Sequence, residues 1–322
     1  MLDLIIIGGS SAATPAAVYA KRRGLNFKIV TKDFGGELAT SGEIGNWPGI
    51  VSTTGIDLAQ KFREHLDTLK IDIDEGVEVE KIAKNPDGTF CITTMSDGPT
   101  MAADNMESSA DAPMKCDYEA KTVIVATGAH PKELNIPGEK EFRTKGVSYC
   151  TVCDGPIFAG KTCATIGGGN SALESALMLA DICQKVYVIN KNDKFKGEQV
   201  LIDNLKAKKN VEIIYNAKTA EIFGTEFAQG LRYTSHLAPD PSTLSVDGIF
   251  VHIGMIPNSF IVPGEVAKDQ FGYIKVNANC ETSVPGLFAA GDVTDVPFKQ
   301  NPIAAGQGTI ALLSAVGYLN RL

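Results

Sequence analysis

Cys150 and Cys153 stand three positions apart in Cys150-Thr151-Val152-Cys153-Asp154-Gly155-Pro156, close enough to form a small reversible disulfide, and an acid follows the second at once. A chain that moves two electrons to or from another disulfide has a use for that combination, since exchange needs a thiolate and runs through a mixed disulfide. A zinc site fails on arithmetic, and no metal is expected: zinc takes four ligands, and no second Cys-x-x-Cys or spaced pair of histidines accompanies this one. The other five cysteines, Cys91, Cys116, Cys163, Cys183 and Cys280, read as buried or incidental thiols. An odd, scattered set of seven does not resemble the disulfide framework of a secreted protein and points to a reducing cytoplasm.

The rest of the chain must position that pair. Its 322 residues suggest two domains at roughly 100–200 residues each. The net charge of −8 argues against nucleic acid, which needs a surplus of Lys and Arg on one face. No early segment has the pattern of a secretory leader, and no apolar run approaches the ~20 residues that span a bilayer, so a membrane partner is not expected.

The opening reads as a dinucleotide-binding βαβ unit: a buried-type strand Leu2–Ile7, the turn Gly8-Gly9-Ser10-Ser11-Ala12-Ala13, a helix to Arg23 and a strand over 26–31. Gly8 and Ala13 fit the first and third small positions of the fingerprint. Ser10 holds the second, where it either crowds a ligand or donates a hydroxyl to it. Taken alone, a plain βα turn explains this stretch as well. Breaker-rich loops, Gly35-Gly36-Glu37 and Ile44-Gly45-Asn46-Trp47-Pro48-Gly49, precede a helix opened by Thr54 and Asp57, with Leu58, Phe62, Leu66 and Leu69 on one face and a surface His65. Residues 71–94 alternate like a β-meander, and 95–116 read as an extended or mobile hairpin insertion. A strand over 121–126 ends in Thr127-Gly128.

The theme then repeats just after the cysteine pair. A strand over 163–166 leads into Gly167-Gly168-Gly169-Asn170-Ser171-Ala172 and a helix to Ile182, followed by a strand over 185–189. Gly167, Gly169 and Ala172 fill the three fingerprint positions, and two such motifs in one chain carry far more weight than one. The second unit's strand is followed by Asn190-Lys191-Asn192-Asp193-Lys194-Phe195-Lys196, with no acid at the strand end for a ribose hydroxyl and several cations nearby for a 2′-phosphate, which leans to NADPH. A solvated lysine-rich turn reads the same way. Gly248–Gly254 reads as a crossing back to the first unit, 283–292 as a strand ending in Gly291-Asp292, and Asn301-Pro302 as the cap and first residue of a last helix.

Taken together these stretches resemble the low-molecular-weight thioredoxin reductases, FAD-dependent pyridine nucleotide-disulfide oxidoreductases of class II, over almost the whole chain. The resemblance rests on Gly8–Ala13, Gly35-Gly36-Glu37, Asn46-Trp47-Pro48-Gly49, Ala126-Thr127-Gly128, Cys150–Gly155, Gly167–Ala172 and Gly291-Asp292 with Lys299-Gln300. Residues 197–217 are also similar to the flavoprotein component of alkyl hydroperoxide reductase. The implied fold is α/β, with two Rossmann-like dinucleotide-binding domains, each a central parallel sheet with an accessory β-meander. The expected boundaries are 1–130 and 248–322 for FAD, and 131–247 for NAD(P)H and the disulfide. The resemblance places FAD contacts at Gly8, Ser10, Ser11, Ala12, Ala13, Gly36, Glu37, Asn46, Thr127, Gly128, Gly291, Asp292, Gln300 and Asn301. It places NADPH contacts at Gly167, Gly169, Asn170, Ser171, Lys191, Asn192 and Lys196. It implies a homodimer in which Cys153 faces the flavin, Cys150 attacks a thioredoxin or other thioredoxin-fold partner, and Asp154 protonates the leaving thiolate. That acceptor is expected to be a separate protein, because the chain begins at the flavin strand. The arginines usual in the family's NADPH signature are lysines and asparagines here, so NADH, ferredoxin or reduced flavin stand as alternative donors and a peroxiredoxin system as an alternative acceptor. A flavin redox sensor without turnover is the remaining alternative.

Overall fold

The computed structural model describes residues 1–41, 43–95, 116–235 and 238–322. In chain order the elements are β1 (Leu2–Ile7), α1 (Ala13–Arg22), β2 (Phe27–Thr31), α2 (Gly36–Ala39), β3 (Glu43–Ile44), β4 (Thr53–Thr54), α3 (Gly55–Thr68), β5 (Ile73–Glu75), β6 (Val79–Lys84), β7 (Phe90–Thr94) and β8 (Tyr118–Val125). Then come β9 (Ala129–Pro131), β10 (Val147–Ser148), α4 (Thr151–Asp154), a 3-10 turn (Gly155–Phe158), β11 (Thr162–Ile166), α5 (Asn170–Ile182), β12 (Lys185–Ile189), α6 (Gln199–Ala207) and β13 (Val211–Ile214). The chain ends with β14 (Ala217–Gly224), β15 (Ala228–Ser235), β16 (Ala238–Ser245), β17 (Gly248–Val251), β18 (Met255–Pro257), β19 (Leu287–Ala289) and α7 (Asn301–Leu319).

Two compact units result: residues 1–39, 56–129 and 257–322 form the first, and 40–55 with 130–256 the second. In the first, β1 is buried on both faces, as a central parallel strand must be. Leu4 and Ile6 pack with α1 and α7, whereas Ile5 and Ile7 face a second core with Val30, Val123, Val125 and Leu287. The sheet runs β5-β2-β1-β8-β7-β6, with β19 also paired to β8. Only β6, β7 and β8 form the expected antiparallel meander. β5 instead extends the parallel sheet beside β2, because Ile73 continues the buried face set by Ile29.

The second unit repeats the plan. Its five-stranded parallel sheet runs β10-β17-β11-β12-β13. Cys163, Val186, Val188 and Phe250 face α5 and α6, while Ala164, Ile166, Ile189, Ile249 and Val251 face the antiparallel β14-β15-β16. The return to the first unit, expected at 248, comes at 256/257, because β17 pairs in parallel with β11 and belongs at the centre of this sheet. Residues 40–55, expected in the first unit, also group with the second, since β3 packs on α4.

α7 has 19 residues with a mean hydropathy of 1.3, so by length and composition it could cross a membrane, contrary to the reading of the sequence. One face of it is used in the fold: Ala304, Gly308, Ala311, Leu312 and Ala315 are buried, and the helix packs on α1.

The cysteines bring a further correction. Cys91 and Cys116, read as incidental thiols, are joined as a disulfide with Cα atoms 5.4 Å apart, inside the usual range. The bridge brings together the two ends of the proposed insertion, whose residues 96–115 lie outside the described residues. Oxidised protein denatured without reductant should therefore titrate three thiols, Cys163, Cys183 and Cys280, and all seven after reduction. Label found on Cys91 and Cys116 before reduction would mean that this bridge is open.

Candidate active site

In the first unit the Gly8–Ala13 turn joins β1 to α1. Gly8 has φ +118°, and a β-carbon there would stand 2.2 Å from the Ala126 carbonyl oxygen, so only glycine fits where β1 meets the end of β8. The Ser10 hydroxyl donates to the Gly35 carbonyl at 2.6 Å, and Gly35 N–H donates to Gly9 O at 2.9 Å. Ser10 is thus bound within the protein, and it draws Gly36 and Glu37, at the start of α2, to the turn. Ser11 Oγ donates to Asn301 Oδ1 at 2.9 Å, joining the turn to the start of α7. Asn301 does not cap the helix, because it is itself the first helical residue; Gln300, in extended backbone, holds the cap position one residue earlier than expected.

Thr127 and Gly128 follow β8 and are tied to Asn258, which the sequence reading missed: Thr127 Oγ1 donates to Asn258 O, and Asn258 Nδ2 donates to Thr127 O, each at 2.8 Å. Gly291 N–H donates to Gln307 Oε1 at 2.8 Å. Beside it, burial raises the Asp292 carboxyl's pKa against the pull of Lys299, and burial lowers that of the Lys299 ammonium, which lies 4.1 Å from the Tyr273 ring centroid. Both shifts agree that desolvation outweighs their mutual attraction. Gly8, Ser10–Ala13, Gly36, Glu37, Thr127, Gly128, Gly291, Asp292, Gln300 and Asn301 therefore all lie in the first unit, whereas Asn46, in the loop between β3 and β4, belongs to the second.

The second unit holds the disulfide. Cys150 and Cys153 are bonded, with Cα atoms 5.3 Å apart, and Cys150 sits at the cap position of α4, its Sγ accepting from Cys153 N–H at 3.3 Å. Ser148, missed in the sequence, orders the acid: its hydroxyl donates to Asp154 Oδ2 at 2.6 Å and accepts from Cys150 N–H at 3.0 Å. Thr151 Oγ1 lies 2.6 Å from Ser175 Oγ and 2.8 Å from His252 Nε2. Neither Thr151, Ser175 nor His252 has a sequence signal, since they meet only after β17 enters the sheet beside β11.

The second glycine turn lies between β11 and α5. Gly167 has φ +147°, and a β-carbon there would meet the His252 carbonyl oxygen at 2.2 Å. Gly169 faces open space. Asn170 spends its side chain on Glu198, with Nδ2 donating to Oε1 at 2.9 Å and Oδ1 accepting from Glu198 N–H at 2.8 Å, which leaves its backbone for a ligand. Ser171 is exposed. Asn190 folds the following loop over the turn: its Nδ2 donates to Lys194 O at 2.9 Å, its Oδ1 accepts from Asn192 N–H at 3.2 Å, and Lys196 N–H donates to Gly168 O at 2.7 Å. Lys191, Lys194 and Lys196 are exposed.

Both turns suit the pyrophosphate of a dinucleotide. α1 and α5 begin with no side-chain cap bond and no acid in the first turn, so their N-terminal N–H groups and positive dipole ends can receive an anion. Two such units in one chain, the second with a bonded Cys-x-x-Cys immediately before its glycine turn, define a disulfide oxidoreductase served by two dinucleotides. The pyridine nucleotide-disulphide oxidoreductase family matches residues 2–308, and the chain belongs to it. Membership implies a flavin, FAD, and a nicotinamide.

An alkyl hydroperoxide reductase subunit of Escherichia coli (strain K12) is 39% identical over 320 residues, which is 99% of this chain and 58% of that protein. The chain thus spans little more than half the length of that curated relative. Thioredoxin reductase from Streptococcus pyogenes MGAS5005 superposes with a TM-score of 0.87 at 32% identity, covering 100% of this chain and 99% of that one. Thioredoxin reductase from Giardia duodenalis gives 0.85 at 28%, covering 99% of each.

Although part of His252 remains accessible, burial lowers its pKa to about 4. The folded protein keeps this imidazole neutral where the unfolded chain, titrating near 6.5, takes up a proton. Stability should therefore fall as pH drops from about 6.5 towards 4 and stay flat above that window. The loss by pH 5 is at most about 2 kcal/mol. Urea midpoints at pH 7.5 and 5.0 check this, and His252→Gln should narrow the gap between them.

Proposed function

We propose that the chain is a thioredoxin-disulfide reductase, carrying electrons from NADPH through FAD and the Cys150–Cys153 disulfide to the disulfide of a small thioredoxin-fold protein. The observation that carries this reading is the bonded pair with its ordered acid, Ser148 Oγ on Asp154 Oδ2 at 2.6 Å, placed directly before a dinucleotide turn. FAD, when bound, supplies a two-electron relay between the nicotinamide and the disulfide. Once the pair is a dithiol, Cys153 N–H points at Cys150 Sγ and favours the thiolate there. The Cys150 thiolate attacks one sulfur of the acceptor's disulfide, and the acceptor's other sulfur leaves as a thiolate that takes its proton from Asp154. Cys153 then gives its proton to Asp154 and attacks Cys150 Sγ, re-forming the disulfide, and the second acceptor sulfur leaves and takes that proton from Asp154 as a thiol. The exposed Lys191, Lys194 and Lys196 support recognition of a 2′-phosphate and so NADPH over NADH. On the family resemblance the reading extends to a homodimer working in the cytoplasm.

The identity to part of an alkyl hydroperoxide reductase favours a second reading, in which the thioredoxin-fold acceptor feeds a peroxiredoxin. Anaerobic flavin bleaching with NADPH and with NADH, followed by turnover on thioredoxins, glutaredoxins and peroxiredoxin-linked carriers, separates these readings. NADPH with thioredoxin should give the highest kcat/KM, and bleaching by neither nicotinamide would defeat the donor assignment.

A further inference from the structure

Successive residues on one face of a strand lie two apart, so Gly248, Phe250 and His252 look the same way from β17 and its end. That face meets the disulfide segment at two points. A β-carbon on Gly248 would stand 2.7 Å from the Phe158 ring, and Phe158 meets Phe250 edge to face at 5.4 Å between centroids. At the other end of the segment, His252 Nε2 lies 2.8 Å from Oγ1 of Thr151, the residue next to Cys150. Thr151 is 5% exposed and Ser175, its other partner at 2.6 Å, is 4% exposed, so this is a buried polar chain with each hydroxyl engaged. The His252 main chain belongs to the nucleotide turn: its N–H donates to Ile166 O at 2.8 Å, and its carbonyl oxygen fills the space beside Gly167.

We propose that His252 is a positioning residue for the redox disulfide: through Thr151 it holds the single-turn helix that bears Cys150 and Cys153, and it ties that helix to the strand end on which the nucleotide turn rests. The idea builds on the reading that Cys150–Cys153 is redox-active. α4 has only four residues and cannot sustain itself, because one turn repays little of its nucleation cost. While the disulfide is closed, the bond itself sets the distance between the sulfurs. Once it opens, the anchors at Phe158 and Thr151 do so, and a loosened Thr151 lets the thiols separate, which favours the dithiol and slows reclosure.

The test is the equilibrium of the pair with glutathione, in which two glutathione thiols give two electrons and two protons to Cys150–Cys153 and leave as one glutathione disulfide. It is read on the FAD-loaded protein by alkylation and mass, together with steady-state kinetics. For His252→Leu we expect a shift of about tenfold towards the dithiol, equivalent to about 30 mV for two electrons. We also expect kcat on the disulfide acceptor to fall tenfold or more with the nicotinamide KM within twofold of the parent. His252→Gln, whose amide can still meet Thr151, should stay within threefold on both, and the isosteric Thr151→Val should match His252→Leu even if that variant folds poorly. His252→Leu and Thr151→Val that both keep the parent's equilibrium would overturn the proposal, as would a loss in His252→Gln as large as in His252→Leu. A parent pair that does not exchange with glutathione at all would instead fail the disulfide reading, and this proposal with it.

Discussion

Cys150→Ser should abolish reduction of a protein disulfide, by roughly 10³-fold or more, because the variant lacks the attacking thiolate and the bond that stores two electrons. Flavin should still bind, since all the predicted flavin contacts but Asn46 belong to the first unit and Cys150 to the second, and bleaching by the nicotinamide should persist. The pattern to look for is a coloured protein, reducible by its donor, that leaves a thioredoxin-fold acceptor oxidised. Cys153→Ser gives the complementary result: it retains Cys150 and so should arrest as a mixed disulfide with the acceptor, detectable by mass without reductant. Turnover by Cys150→Ser at the parent's rate would remove this residue from the attacking role.

Gly308→Val should cost the protein its flavin. A β-carbon on Gly308 would stand 1.9 Å from the Ala12 carbonyl oxygen and 2.8 Å from its carbonyl carbon, so α1 and α7 would have to part. Those two helices meet through small residues, Ala13, Ala16, Ala17 and Ala20 on one and Ala304, Ala311 and Ala315 on the other, and the backbones are too close to yield by a rotamer change. Overpacking of this kind costs about 3 kcal/mol, against roughly 0.4 kcal/mol of helix propensity gained when valine replaces glycine. The displaced turn would also break the Ser11–Asn301 bond, so the flavin site should fail with the packing. Flavin content after gel filtration and the thermal midpoint both report it. A variant that keeps stoichiometric flavin and the parent's midpoint would show that the helices have more room than their separation indicates.

The two glycine turns and the disulfide were legible because backbone and covalent chemistry restrict them to a few residue types at fixed offsets. Gly8 and Gly167 have positive φ and abut a carbonyl oxygen, and Cys150 and Cys153 need only each other. Gly308 left no such mark, since a helical φ gives no reason for glycine until the partner helix is known. Thr151, Ser175 and His252 were hidden for the same reason: ordinary residue types acquire their roles from partners brought close by the fold, while Ser148 takes its role from a local turn that no residue type marks. Position 248 failed as a boundary because a buried apolar strand reads alike at the centre of either sheet. Cys91 and Cys116 are too far apart in sequence for spacing to suggest a bond.

The sheet order also constrains when each unit can exist as the chain is made. β8 lies between β1 and β19, with Ile124 opposite both Ile6 and Phe288. β7 covers only the start of β8, so the half from Val123 to Val125 lacks its second neighbour until residue 289 has been synthesised, and α7 follows later still. The second unit closes with β17, which is complete by residue 251. A nascent chain thus has every strand of its disulfide-bearing sheet in hand while the other sheet still lacks one, so the bonded cysteines are framed before the first unit is complete.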